Sequence, residues 1–382
     1  MESSTQRAAL VGLTPTWIAL GALQNGLFMI AQLRADSRYL NDVELGICEA
    51  ELFLYAHRLD RARAALARLE PHIAAATGSL RARHLVAAAM CDVRQGLNTS
   101  GIRGASEGYR LALRCGDLVS AKRATVVINA AYPAGDNKWS ERGRRLCAKE
   151  ANDPWNPVIE FLALRADLGA GKPLDTVRAR AAVKAIEASG TPGLNAITMA
   201  RIGRLLEQAG EIAQAKDLYI RSAELLKRTD LLRELAEAKT YLGDILRHGG
   251  DPAGSLAAHL EAVVLRRPLR DPMALATSLR GAGMAAQALG HDFQARTYLR
   301  EALDLFEVSG FELGAALSAV PLARLLGTHG RREQAASLMR AALTTFDSIP
   351  ESRRKLEIPT DLQDLNAVRA ELSMLEFGQP GP

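Results

Sequence analysis

The sequence predicts an all-α fold, a right-handed superhelical solenoid of about eight antiparallel helix pairs closed by a C-terminal capping helix. Three observations carry this expectation. Small residues recur every forty positions in the C-terminal half: Gly203, Gly243, Gly283 and Ala323; Gly210, Gly250, Gly290 and Gly330; Ala215, Ser255, Ala295 and Ala335; Ser222, Ala262, Ala302 and Ala342. A fixed period of this length marks stacked units that bury their cores against neighbours. Composition agrees, because 48% of the residues are hydrophobic but only 5% aromatic, so Ala and Leu, both strong helix formers, must build the cores. Finally, each glycine of the second column separates two apolar-periodic runs, where glycine supplies the left-handed conformation that ends a helix.

Taken in order, residues 1–37 read as one apolar N-terminal helix. Ala8 to Leu33 carries no charge and is long enough to span a bilayer. Thr14, Pro15, Gln24, Asn25 and Gln32 make it only moderately apolar, and Thr14-Pro15 reads as an N-cap followed by proline at the first helical position. A buried helix is the preferred reading. A helix that dimerises or binds a partner, making a homodimer, and a targeting or spanning segment are the alternatives. No membrane partner is expected.

Residues 38–192 hold irregular repeats. Ala50, Phe53, Ala62 and Leu66 fit one unit turning near Arg58-Leu59-Asp60. Ala105, Tyr109 and Ala112 fit another after a longer turn from Gly96 to Gly101, and Gly143 with Cys147 a third after Pro133-Ala134-Gly135-Asp136. Trp155 to Leu168 begins a fourth, turning at Gly169-Ala170-Gly171-Lys172-Pro173. Residues 193–345 hold four regular units of two helices each. Gly203, Gly243 and Gly283 fall mid-helix, where glycine costs about 1 kcal/mol relative to alanine. A paired helix crossing too closely to admit a side chain explains that cost, with Ala215, Ala295 and Ala335 expected opposite. Residues 346–382 supply the cap, an amphipathic helix from Pro359 to Glu376, and a frayed end.

Gly283, Gly290, Ala295, Leu299 and Ala302 resemble the tetratricopeptide pattern, and Gly203, Gly210, Ala215, Tyr219 and Ser222 resemble it in the same way. The usual tetratricopeptide period is about thirty-four, so this is a longer variant. It is similar to the forty-residue repeats in the sensor region of maltose-activator-type bacterial transcription regulators. The resemblance implies that the first helix of each unit lines a concave groove and that its polar positions meet a ligand. Register then selects Arg204, Glu207 and Gln208; Glu237, Thr240, Asp244, Arg247 and His248; Arg280 and Gln287; and Arg324. Asp244 with Arg204 and Arg280 is expected to form a charged stripe, either a ligand surface or a solvated groove held by inter-repeat salt bridges.

Other chemistry is poorly supported. The formal net charge is +5, yet residues 101–150 carry ten basic against five acidic residues. Lys138, Trp139, Arg142, Arg144 and Arg145 form the densest basic run, either a solvated helix face or a phosphate-binding surface. Gly169-Ala170-Gly171-Lys172 is followed by proline where a phosphate loop needs Ser or Thr, so it reads as a turn. Cys48, Cys91, Cys115 and Cys147 stand singly, without a zinc spacing, and read as buried free thiols of a reducing compartment. Seven scattered histidines offer no metal motif; His248, His291 and His329 sit at or beside equivalent turns. No metal, cofactor or catalytic constellation is expected. The sequence predicts a cytoplasmic, non-enzymatic scaffold whose groove takes a peptide, a protein segment or a small effector. Regulatory sensing is implied by the resemblance, though neither a nucleotide-binding region nor a helix-turn-helix is visible. The alternative is a helical-repeat protein that binds nucleic acid through residues 101–150, and an enzyme is the weakest reading.

Overall fold

The computed structural model describes residues 2–132, 137–149, 153, 155–188, 192–269, 271–350, 362 and 364–377. Among the described residues there are twenty α-helices. Two stand before the repeats, α1 (Glu2–Leu20) and α2 (Leu23–Arg34). Eight antiparallel pairs follow: α3 (Val43–Tyr55) with α4 (Leu59–Ala67), and, after the short α5 (Glu70–Ile73), α6 (Gly78–Arg94) with α7 (Asn98–Arg114). Next come α8 (Leu118–Ala130) with α9 (Asn137–Cys147), α10 (Asn156–Gly169) with α11 (Thr176–Ala188), and α12 (Pro192–Gln208) with α13 (Ile212–Leu226). The last three pairs are α14 (Leu232–His248) with α15 (Pro252–Arg266), α16 (Pro272–Ala288) with α17 (Asp292–Val308), and α18 (Glu312–Thr328) with α19 (Arg332–Ser348). Helix α20 (Leu365–Phe377) closes the series. The chain forms two compact units, Met1–Glu234 and Leu235–Pro382.

Glycines with positive φ terminate the first helices. Gly210, Gly250, Gly290 and Gly330 have φ of +84°, +79°, +74° and +76°. After each, an amide donates back to a carbonyl five residues earlier, as Glu211 does to Leu206 and His291 to Ala286.

The mid-helix glycines mark close crossings, but the side chain filling each crossing lies four residues beyond the expected alanine column. A Cβ on Gly203 would lie 3.0 Å from the Tyr219 ring, one on Gly243 2.6 Å from the His259 ring, and one on Gly283 2.6 Å from Leu299. The large residue of the second helix therefore lies over the glycine, while Ala215, Ala295 and Ala335 are fully buried beside it. In the second unit His259 is wedged between two glycines, since a Cβ on Gly281 would overlap the same ring. Burial lowers the His259 pKa, and Asp244 opposes this, while Arg247, Arg280 and Arg266 reinforce it. A Gly281→Ala variant is expected to lose about 1–3 kcal/mol of stability through overpacking, read as a lower urea midpoint for this unit; an unchanged midpoint would mean that the ring moves aside freely.

The N-terminal stretch is two helices, parted at Gly21 (φ +74°), where a Cβ would meet Thr229 at 2.7 Å. Thr14 and Pro15 lie inside α1 rather than at its start, and the Thr14 hydroxyl donates to the Leu10 carbonyl at 2.9 Å. Helix α1 packs on α2, α3 and α12. Arg7 pairs with Asp42 at 2.8 Å and Glu44 at 2.9 Å, next to the start of α3. At its other end the Gly21 carbonyl accepts from the Asp230 amide at 2.8 Å, and the Gln24 amide donates to the Asp230 carboxylate at 3.0 Å. The hairpin of α1 and α2 thus ties the first repeat of its unit to the fifth.

Helix α7 begins at Asn98, so the turn before it is shorter than Gly96 to Gly101. The turn at Pro133-Ala134-Gly135-Asp136 lies outside the described residues. So do most of the stretch from Pro359 to Asp364 and residues 378–382; the described capping helix begins at Leu365.

Candidate functional site

In the first unit the first helices α3, α6 and α8 meet through a buried ion-pair triad. Glu51 of α3 accepts from Arg83 of α6 at 2.8 and 2.6 Å and from Arg123 of α8 at 2.5 Å. The Glu51 side chain is 5% exposed. Burial alone would raise its carboxyl, but the charges of Arg123 and Arg83 overcome that and bring it down to about 2. The Arg123 guanidinium lies 5.3 Å from the centre of the Trp155 ring, and the Tyr55 and Trp155 rings are 6.4 Å apart. The Tyr55 hydroxyl is buried near Arg123 without a hydrogen bond of ordinary geometry, and burial pushes its pKa up. A cavity of 250 Å³ lies at the N-terminal ends of these helices, bounded by Pro15 and Ile18 of α1 and by Arg83, Arg123, Trp155 and Leu194.

Their C-terminal ends carry a second group of charges. His57 occupies the turn position that glycine takes in other pairs and holds φ +55°, a strained conformation for this residue. Its Nε2 hydrogen-bonds the Glu234 carboxylate at 2.7 Å, across 177 residues of chain. Burial would raise the Glu234 carboxyl, but His57 and, more weakly, Arg94 bring it below its ordinary value. Arg94, the last residue of α6, donates to the Leu54 carbonyl and lies 5.7 Å from the centre of the Tyr55 ring. Arg165 of α10 donates to the Asn129 carbonyl at 2.6 Å. Arg201 of α12 is exposed and has no hydrogen bond or ion pair among the described residues. Burial lowers the pKa of Arg94 and of Arg165, and the nearby charge of Arg201 lowers both further.

The residues chosen by register are distributed otherwise. In the first unit, Arg204 pairs with Glu207 at 3.0 Å, Glu207 also accepts from the Tyr219 hydroxyl at 2.7 Å, and Gln208 is exposed. The rest belong to the second unit. Glu237 accepts from Tyr241 at 2.6 Å, and Asp244 lies 3.6 Å from His259 Nε2. Thr240 is 4% exposed and bonds Ser278 at 3.1 Å, so it joins α14 to α16. Arg247 contacts exposed His248 at 2.8 Å, and Arg280 and Gln287 are half-buried. Arg324 is held by Glu371 of the capping helix at 2.8 and 2.9 Å.

The basic run lies on α9. Trp139 packs edge-on against Tyr109 with ring centres 5.1 Å apart, and Arg142 stacks on Trp139 at 4.3 Å. Arg144 meets Glu160 at 3.3 Å and Arg145 meets Glu141 at 3.4 Å, while Lys138 is exposed. Cys48 and Cys91 are buried and Cys147 is partly so, but Cys115 is exposed, contrary to the expectation of four buried thiols. It is the C-cap of α7, one residue before Gly116, with its sulfur against Gly78 at the start of α6. Among the described residues no His, Cys, Asp or Glu cluster is placed to hold a metal ion, and no helix is long and apolar enough to cross a membrane.

Sequence reasoning passed over Arg94, Arg165 and Glu51 because the forty-residue register does not extend into most of the first unit, and it passed over Arg201 although that residue stands within the register. The available signal was an arginine near the end of several first helices and a histidine where the turn asks for glycine.

No family model matches the chain, and no curated protein does. Solved structures match along most of its length. A Rap protein complexed with competence and sporulation factor aligns with TM-score 0.56 at 12% identity, covering 98% of this chain and 99% of that one. The apo form of the quorum sensor NprR from B. thuringiensis aligns with TM-score 0.54 at 12% identity, covering 88% and 97%. A signal transduction ATPase with numerous domains and a tetratricopeptide repeat sensor, from Pyrococcus horikoshii, aligns with TM-score 0.52 at 13% identity, covering 76% and 46%. The fold is a tetratricopeptide-like solenoid.

Proposed function

We propose that this chain is a non-enzymatic binding scaffold that holds a segment of another protein against the inner face of its first unit. The observation supporting this most is the strained His57, which stands where other turns have glycine and bonds Glu234, with Arg94 stacked on Tyr55 and the charge of exposed Arg201 lowering the pKa of Arg94 and Arg165. Strain retained where glycine would relieve it points to function at that place. Helical repeats present such interiors to extended or helical segments.

Regulatory sensing is the finer form of this reading. It draws on the resemblance to maltose-activator-type repeats and on structural likeness to a quorum sensor, to a Rap protein bound to its factor and to an ATPase's repeat sensor. A small effector in the 250 Å³ cavity is compatible with it. The nucleic-acid reading is disfavoured because Arg144 and Arg145 already have carboxylate partners and Trp139 is turned against Tyr109 rather than toward a base.

Capture from native lysate tests the proposal. The parent, an Arg201→Glu variant and a Val177→Glu variant on the exposed side of α11 are compared after circular dichroism shows equal folding. A partner held by the parent and Val177→Glu but lost by Arg201→Glu supports the inner face. A partner held equally by all three, or none held by any, contradicts it.

A further inference from the structure

We propose that the pocket between the ends of α1, α11 and α13 binds a free fatty acid, an alkyl chain carrying one carboxylate. The site is separate from the residues on which the scaffold reading rests. Helix α1 stops at Gly21 against the start of α12, where a Cβ on Gly193 would lie 2.7 Å from the Gly21 nitrogen. Beside this contact lies an open pocket of 660 Å³, walled by Leu20, Ile186, Met199, Ile220 and Leu225. That volume falls within the ~300–1,000 Å³ common for small-molecule sites. Ile186 and Met199 are buried, while Leu20 and Ile220 are large apolar groups left exposed. Single exposed apolar residues are ordinary, but several around one pocket mark a binding surface.

The polar groups on the same pocket decide the head group of its ligand. Arg221 pairs with Glu187 and with Asp217, the latter at 3.0 Å, and Glu224 pairs with Lys227 at 2.7 Å. Asn195 is buried, and its Nδ2 donates to the Ile186 carbonyl at 3.5 Å. Arg228 also lines the pocket, and its guanidinium has no hydrogen bond or ion pair among the described residues. One unmatched positive charge thus stands beside an apolar wall, and a ligand with an apolar body and one anionic group fits both. A carboxylate meets the planar fork of a guanidinium with two parallel bonds. A phosphate monoester, with a charge of about −1.5 to −2, would leave negative charge over next to Glu187 and Glu224. An alkyl chain suits the wall, where a polar body would give up its hydrogen bonds to water.

Isothermal titration calorimetry with the full chain tests this. The probes are decanoate, octanoate, decan-1-ol and decyl phosphate, each kept below the concentration at which it forms micelles or separates. The parent is expected to bind decanoate saturably, about tenfold more tightly than decan-1-ol, which lacks the charge. Octanoate, two methylenes shorter, is expected to bind about tenfold more weakly than decanoate. Arg228→Glu is expected to lose the preference for decanoate over decan-1-ol, and Ile220→Asp to weaken both ligands. Both variants should keep the parent's circular dichroism, because both side chains are exposed. Decan-1-ol bound as tightly as decanoate, or decyl phosphate bound more tightly, would overturn the carboxylate. Decanoate binding that neither variant changes would place the ligand elsewhere, and no saturable binding would overturn the site.

Discussion

Deleting residues 1–35 is expected to unfold the first unit. Leu10, Ile18, Leu23, Leu27, Ile30 and Leu33 are each at most 8% exposed, and they pack within their own chain. Burying one such side chain stabilises by about 1.5–3 kcal/mol. Six together rival the ~5–15 kcal/mol by which a whole domain is ordinarily stable. Their removal also uncovers α3 and α12 and breaks the ties from Arg7 to Asp42 and from Gly21 to Asp230. Far-UV circular dichroism and urea unfolding of the truncated chain should show that the transition of the first unit is lost. A truncated chain with the parent's midpoint, and only a changed oligomeric state, would instead make these helices a dimerising device. Leu13, Leu20, Phe28 and Met29 are the large apolar groups they leave exposed for such a role.

The second large effect is expected at Glu51. A Glu51→Ala variant leaves Arg83 and Arg123 buried without their carboxylate, a change that ordinarily costs about 3–5 kcal/mol. The pH dependence gives an independent readout. The folded carboxyl is held at about 2, below the ordinary 4.5, so the unfolded chain takes up the proton first as pH falls. The stabilisation is complete above pH 4.5, declines as pH drops through that range, and is gone below about 2. The parent should therefore lose about 3 kcal/mol across this window from Glu51 alone, and Glu51→Ala should show a correspondingly flatter profile. Parallel profiles for the two proteins would mean that the triad is not formed in solution.

These two places also show where sequence reasoning stopped. The forty-residue columns were legible because close crossings and left-handed turns restrict residue type locally, as at Gly283 against Leu299 and at Gly290 with φ +74°. The large residue filling each crossing was less legible, because Tyr219, His259 and Leu299 share a place but not a chemistry. The break at Gly21 lacked a proline or polar cluster, and what demands glycine there is a φ of +74° and contact with Thr229, 208 residues on. Arg324 holds the groove register, yet its partner Glu371 lies 47 residues on, beyond any periodic signal. Glu51 and Arg123 meet across 72 residues, and His57 meets Glu234 across 177. Such pairs depend on how the unit turns in space, and the irregular first repeats carry no fixed period from which to read that turn.

The most direct test of the central claim is photocrosslinking from two positions of the same chain. A benzophenone amino acid replaces Gln208, exposed on α12 of the first unit, or Val177 on α11, which is 72% exposed. The captured partner is added to each and adducts are mapped by mass spectrometry. The account predicts adducts from position 208, with the partner residue falling in one short segment, and none from position 177. Adducts from position 177 alone would place the binding surface elsewhere and contradict it.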